Sequence, residues 1–212
     1  MATDLIEVDV ENPYPGAIDR AVREISKGGL VGVPTDALYS LVADPFDLRA
    51  VGRVFAAKGR EAIRSLPLAV SDTLMAEDLA KELNSRFYVL ARHFWPGPLT
   101  MIVPAAAKVP LKVTGNTGRL AMRHAKSNLL NALIEKTGHA LIATSANISG
   151  EPTVSSGIEL FAAMDGRVDL VLDGGLCTGT GPTTVDITEP YWRVIKEGAV
   201  SEKEIAQRLQ PR

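Results

Sequence analysis

Four short polar clusters, each at the end of an apolar run, hold the residues whose types could do chemistry. In "AAKGRE", Lys58 and Arg60 stand two apart where a helical pattern stops, with Gly59 loosening the turn between them. Cations so placed either complement a helix C-terminus or clamp a phosphate. In "LIATSANISGEPT", Thr144, Ser145, Asn147, Ser149 and Thr153 follow the strand-like "ALIA". That density of polar groups makes either a self-capped turn or a rim that holds phosphate or carboxylate through hydroxyls, an amide and backbone N–H groups. In "VGVPTDALYS", Pro34 ends an apolar run, and Thr35, Asp36, Tyr39 and Ser40 follow. A turn explains them, and so does a ligand rim, because α/β sheets bind at the ends of their strands. Arg123 closes "LAMR" either as a snorkelling edge residue or as an anion contact.

The motifs that are missing narrow the chemistry. No G-x-x-x-x-G-K-[ST] occurs, so a site for ATP would not be a P-loop. The glycine-rich "DGGLCTGTG" opens no helix as a dinucleotide fingerprint would, and reads as a mobile loop. Ser145 lacks the G-x-S-x-G elbow of a hydrolase. His93, His124 and His139 have no metal-ligand spacing, so no metal site is expected. A formal net charge of −2 over 212 residues gives no global attraction to nucleic acid or membrane, although 23 Lys and Arg could still form a local patch. A single cysteine, Cys177, excludes an intrachain disulfide and fits a reducing compartment. With neither a signal-peptide pattern nor an apolar run of membrane length, the expected location is the cytoplasm.

The elements that must position these clusters alternate between helical and strand patterns, with no low-complexity linker. "GAIDRAVREISKGG" sets Ile18, Ala21, Val22 and Ile25 on one stripe, and "LRAVGRVFAAK" repeats apolar residues at helical spacing after Asp47 as cap. Residues 73–94 read as two short helices that end at the prolines of "WPGP". "SNLLNALIEKTG" and "SSGIELFAAMDGR" read as further helices. "LVGV", "LPLAV", "LTMIVPA", "RLAMR", "ALIAT", "VDLVLDGG", "TTVDIT" and "WRVIK" read as strands. Ser201 and Glu204 form a capping box in the tail. The expectation is one α/β domain on a twisted mixed sheet flanked by helices, over residues 15–200. Residues 1–14 precede it as an N-terminal segment, and 201–212 follow as a helical tail.

"PTDALYSL", "KGRE…LPLAV", "WPGPLT", "LAMRH", "TSANISG" and "PTTVD", in this order, resemble the YrdC family of threonylcarbamoyl-AMP synthases. The resemblance implies a cationic cavity and a nucleotidyltransferase reaction. L-threonine and bicarbonate combine as a carbamate, which ATP adenylylates with loss of pyrophosphate, toward threonylcarbamoyladenosine in tRNA. It implies ATP as substrate, with Mg²⁺ carried on the phosphates, and a downstream threonylcarbamoyl transferase complex as partner. By resemblance, Lys58, Arg60, Ser145 and Asn147 are catalytic and, with Thr144, Thr153 and Lys196, bind nucleotide. Thr35, Tyr39, Arg123 and Thr183 belong to the threonine end. Five positions depart from the family pattern: Ala37, Ser40, Glu61, Ser65 and Lys196. They leave room for a divergent paralogue that binds tRNA or double-stranded RNA, or acts on another carbamoyl-type substrate.

Overall fold

The computed structural model describes residues 2–59, 61, 63–188 and 190–209. The chain starts with strand β1 (Asp4–Glu7), helix α1 (Pro15–Ser26), β2 (Val31–Val33), β3 (Ser40–Ala43) and α2 (Leu48–Lys58). It continues through β4 (Leu68–Ala69), α3 (Thr73–Leu79), α4 (Ser85–Phe94), β5 (Leu99–Pro104), α5 (Leu111–Thr114) and β6 (Arg119–Arg123). It ends with α6 (Asn128–Thr137), β7 (Leu141–Ser145), α7 (Gly157–Met164), β8 (Leu170–Asp173), β9 (Thr183–Asp186), β10 (Arg193–Lys196) and α8 (Glu202–Leu209).

Local chemistry sets the helix boundaries. Asp47, Asp72, Asn84, Ser127 and Ser156 each accept a backbone N–H from the first turn of the helix they precede, satisfying donors that the helix itself cannot. Gly59 and Gly138 end α2 and α6 in the left-handed conformation, with φ of 57° and 77°, where a side chain would be strained. The capping box is present: Ser201 N and Oγ both donate to Glu204 Oε2, and Glu204 N donates back to Ser201 Oγ.

The strands form one ten-stranded mixed sheet in the order β1-β8-β2-β3-β7-β4-β6-β5-β9-β10. β1 runs parallel to β8, and β5 parallel to β9, while β3 and β7 are antiparallel. The N-terminal segment set apart in the sequence reading is therefore an edge of the sheet. The tail is also built in: α8 buries Ile205 in the main core. β3 and α5 are elements the apolar pattern did not separate, because Leu41–Ala43 is too short a run beside the polar rim.

The two faces of the sheet are covered unequally, and this makes the site. One face carries a continuous core in which Leu41, Met101, Leu120, Met122, Ile142 and Val185 pack with α2, α4 and α7 residues such as Val54, Leu90 and Leu160. Gly32 admits that packing, since a Cβ there would lie 2.3 Å from Leu160 Cδ2. On the opposite face, α1 and α6 cover β2, β3, β8 and part of β7, through Ile18, Ile25, Leu129 and Leu133 against Val31, Val42 and Leu170, with Ile6 of β1 and Ala69 of β4 at the margins of the same cluster. Each such fully buried side chain contributes roughly 1.5–3 kcal/mol. Beyond α6 this face bears small and polar residues and forms a concavity. Among the described residues no helix is long and apolar enough to cross a membrane.

Candidate active site

The concavity has a volume of about 570 Å³. Its floor follows strand alternation: Thr100 and Ile102 from β5, Ala121 and Arg123 from β6, Ala143 and Ser145 from β7, and Thr184 from β9. Residues i and i+2 face the same side, and alanine at Ala69, Ala121 and Ala143 leaves the floor low enough to hold a ligand. Thr35, Ala37 and Ser40 form one wall, Arg64 and Ser65 another, and Thr153, Pro182 and Lys196 close the rim.

Lys58, Ser145 and Asn147 form a single hydrogen-bonded unit behind this floor. The Lys58 ammonium, on a residue only 2% exposed, donates to Ser145 O, to Asn147 O at 3.0 Å and to Asn147 Oδ1 at 3.0 Å. Ser145 Oγ donates to Asn147 Oδ1 at 2.6 Å, and Asn147 Nδ2 donates to Glu151 O at 2.6 Å. Ser149 N donates to Lys58 O at 2.8 Å, which ties the turn carrying Ser145 and Asn147 to the end of α2. Arg60 lies outside the described residues.

On the facing wall, Thr35 Oγ1 donates to Leu38 O at 2.6 Å and accepts Ala37 N at 3.1 Å. Thr35 is therefore both a turn residue and a cavity residue. Arg123 donates from Nε to Gly97 O at 2.9 Å and pairs through Nη2 with Asp36 Oδ1. Lys196 reaches the cavity from the edge strand β10, just past a register shift between Val194 and Lys196. Shifts of this kind re-aim a side chain. Thr144, in β7, and Thr153 also line the cavity.

Two expected threonine contacts are placed differently. Thr183 is fully buried: its Oγ1 donates to Val200 O at 2.5 Å and accepts Gly198 N at 2.9 Å and Val200 N at 3.0 Å. That saturates the hydroxyl, and strand alternation turns the next residue, Thr184, into the cavity instead. Tyr39 borders the cavity, but its hydroxyl meets Asp173 Oδ1 at 3.1 Å and Gly175 O at 2.9 Å, and accepts Gly174 N at 3.0 Å. Burial, with the Asp173 carboxylate adding to it, pushes this phenol well above its ordinary range, so it stays protonated. Its role is to hold the 173–175 segment.

The glycine-rich segment expected as a mobile loop is anchored. Cys177 N donates to Ser155 O at 2.7 Å, and Ala199 N donates to Gly181 O at 3.0 Å. Gly179 lies directly on the 35–37 turn, where a Cβ would come within 2.2 Å of Asp36 O. Burial raises the Cys177 thiol above its usual value and lowers the His124 imidazole, the latter against the pull of Asp72 and Asp36. No group of three or more His, Cys, Asp or Glu side chains suited to a metal ion forms among the described residues.

A model of the Sua5/YciO/YrdC family, described as telomere recombination, matches residues 23–198. The chain belongs to this family. A threonylcarbamoyl-AMP synthase of Pyrococcus abyssi is 36% identical over 182 residues, covering 85% of this chain and 54% of that protein. The chain thus spans about half the length of that archaeal relative. A threonylcarbamoyl-AMP synthase of Xanthomonas campestris is 33% identical over 82% of this chain and 94% of its own length. The crystal structure of P. abyssi Sua5 complexed with L-threonine superposes with a TM-score of 0.93 at 34% identity, covering 98% of this chain and 61% of that one. Escherichia coli YciO shares the fold, with a TM-score of 0.88 at 24% identity over 96% of this chain and 99% of that one.

Within this family fold, Arg64, Thr100 and Thr184 line the cavity without having been singled out by sequence reading. Arg64 follows the Lys58–Arg60 cluster closely enough to have been grouped with it as a third cation. Thr100 and Thr184 carried a weaker signal, a lone hydroxyl inside a strand pattern. Of the departures, Ala37, Ser40, Ser65 and Lys196 all lie on the cavity wall.

Proposed function

We propose that the protein makes L-threonylcarbamoyl-AMP from L-threonine, bicarbonate and ATP, releasing pyrophosphate, as a nucleotidyltransferase in tRNA modification. One observation carries this reading: a single cavity joins an arginine end, Arg123 with Thr35, to a cationic rim of Arg64 and Lys196, across a floor of small and hydroxyl side chains. The threonine-bound relative of the same fold supports the assignment of a small amino acid to such a cavity.

In this reading the threonine carboxylate docks on Arg123, whose guanidinium suits a carboxylate better than an ammonium would. The threonine amine and bicarbonate condense with loss of water to a carbamate. A carbamate oxygen then attacks the ATP α-phosphorus, the bond to the β-phosphate oxygen breaks, and pyrophosphate departs. No protein nucleophile is required. The chain positions the reactants and stabilises developing charge. Ser145, on the cavity floor, faces the α-phosphate, with Asn147 behind it, and Lys58 holds the pair. Arg60, Arg64 and Lys196 serve the phosphates, with Thr144 and Thr153 beside them. Mg²⁺ would be carried on the ATP phosphates, where it would neutralise charge on the departing pyrophosphate. The product passes to a threonylcarbamoyl transferase in the cytoplasm.

Pyrophosphate release tests this. It is expected only when ATP, L-threonine and bicarbonate are all present. Serine and valine should substitute poorly, valine because a site that bonds a hydroxyl rejects an analogue lacking it, serine because it forfeits the methyl contact. Release with threonine but without bicarbonate overturns the carbamate step. No release with any amino acid, together with salt-sensitive binding of tRNA or double-stranded RNA, moves the function to RNA binding.

A further inference from the structure

We propose that Asp36 is the positioning residue of the amino-acid end, acting through Arg123. The proposal rests on the reading above and deepens it. A guanidinium presents its donors along distinct edges, and Nε with Nη2 forms one of them. In this protein that edge is taken: Nε donates to Gly97 O at 2.9 Å, and Nη2 pairs with Asp36 Oδ1. Nη1 meets no acceptor among the described residues, and Arg123 lines the cavity. Asp36 and Gly97 therefore clamp one edge and leave the Nη1 side for the carboxylate of a ligand.

Three observations show that the clamp is rigid. The pair is largely enclosed, its side chains 13% and 16% exposed, where a charge-assisted bond is stronger than at a surface. The turn that carries Asp36 is closed on both sides by the Thr35 hydroxyl, through Leu38 O and Ala37 N. Gly179 presses on the same turn, with room for no Cβ: one would stand 2.2 Å from Asp36 O and 2.8 Å from Ala37 Cα. Asp36 itself is not part of the cavity wall. Its effect on a ligand passes through the orientation and charge balance of Arg123, and Gly179 is coupled to that orientation from the far side of the turn.

The experiment measures direct L-threonine binding by calorimetry, and separately the KM for threonine, the KM for ATP and kcat, for the wild type, Asp36→Asn and Gly179→Ala. For Asp36→Asn the threonine Kd and KM are expected to rise together by about tenfold, the cost of one charged hydrogen bond. The KM for ATP and kcat at saturating threonine should each move less than about twofold, because the phosphate end is untouched. Gly179→Ala should raise the threonine Kd in the same direction, and a double variant should show less than the sum, since both act on one turn. Asp36→Glu, which keeps the charge, should recover part of the loss. Thermal melts identify a variant that fails to fold, and the Gly179→Ala arm then decides. Unchanged threonine affinity in the folded variants overturns the proposal, as does a parallel rise in the KM for ATP. Wild-type protein that binds no threonine overturns the parent reading and this inference with it.

Discussion

Lys58, behind the floor of the cavity, and Lys196, on its rim, are the same residue type, and the fold treats them in opposite ways. Lys58 ends a helix and is almost wholly enclosed, its ammonium held by two backbone carbonyls and the Asn147 amide oxygen. Lys196 stands on the outermost strand of the sheet, exposed, with its position set by a register shift. A buried ammonium with several fixed acceptors organises the protein around itself, because removing it takes a charged donor from each of them and leaves Asn147 O desolvated and unsatisfied. An exposed lysine orders little of its surroundings and acts as a charge on a flexible stem. Two residues of one type are thus a buried structural pin and an exposed charge on the cavity rim.

The largest effect that could break this comparison comes from Lys58→Met. It keeps the side-chain bulk but strands Asn147 O and takes the charged donor from Ser145 O, which keeps the Asn147 N–H, each bond to a charged group being worth about 1.5–3 kcal/mol. Both stability in urea and kcat are expected to fall, the latter by about a hundredfold or more as the Ser145–Asn147 turn loosens. Normal stability with lost activity would make Lys58 a direct ligand contact instead. Tyr39→Phe comes next. It deprives Gly174 N–H of its acceptor and should cost about 1–3 kcal/mol in denaturant titration, with a smaller change in threonine KM than in stability.

Lys196→Ala should leave stability within about 0.5 kcal/mol and raise the KM for ATP only severalfold, an effect that added salt should diminish. A stability loss as large as that of Lys58→Met would erase the contrast. The smallest effect sharpens the arginine side. Burial depresses the His124 imidazole below its ordinary 6.5 in the folded protein, against Asp72 and Asp36. The unfolded chain therefore takes up the proton first as pH falls. The stability contributed by neutral His124 is complete above about pH 6.5 and is lost as pH falls through the lower folded value. Urea titrations at pH 8 and pH 5.5 should show this slope, and His124→Gln should flatten it.

Much of the frame was legible because it depends on local rules. The stripe of Ile18, Ala21 and Ile25 on α1, the Asp47 and Ser127 caps and the Ser201–Glu204 box each need only near neighbours in the chain. β1 was not legible, because Asp4–Glu7 is mostly exposed and becomes a strand only by pairing with β8, more than 160 residues away in the chain. The site was half legible for the same reason. Lys58, Ser145 and Asn147 could be grouped by resemblance, yet only the docking of the turn after β7 on the end of α2 buries the ammonium among them. Thr183 and Thr184 are adjacent hydroxyls with no difference in type, and strand parity alone sends one into the backbone of residues 198–200 and the other into the cavity.

The amino-acid sequence by itself determined the alternation of helices and strands, the helix ends, and the residue types at the rim, since periodicity and capping act over a few residues. Only the tertiary structure decided which face of the sheet stays open. That depends on where α1 and α6 stop covering it and on Ala69, Ala121 and Ala143 falling side by side on neighbouring strands. It also decided that Arg123 meets Asp36, 87 residues apart in the chain. Such a meeting follows from strand order and loop closure, and no local pattern of residues encodes it.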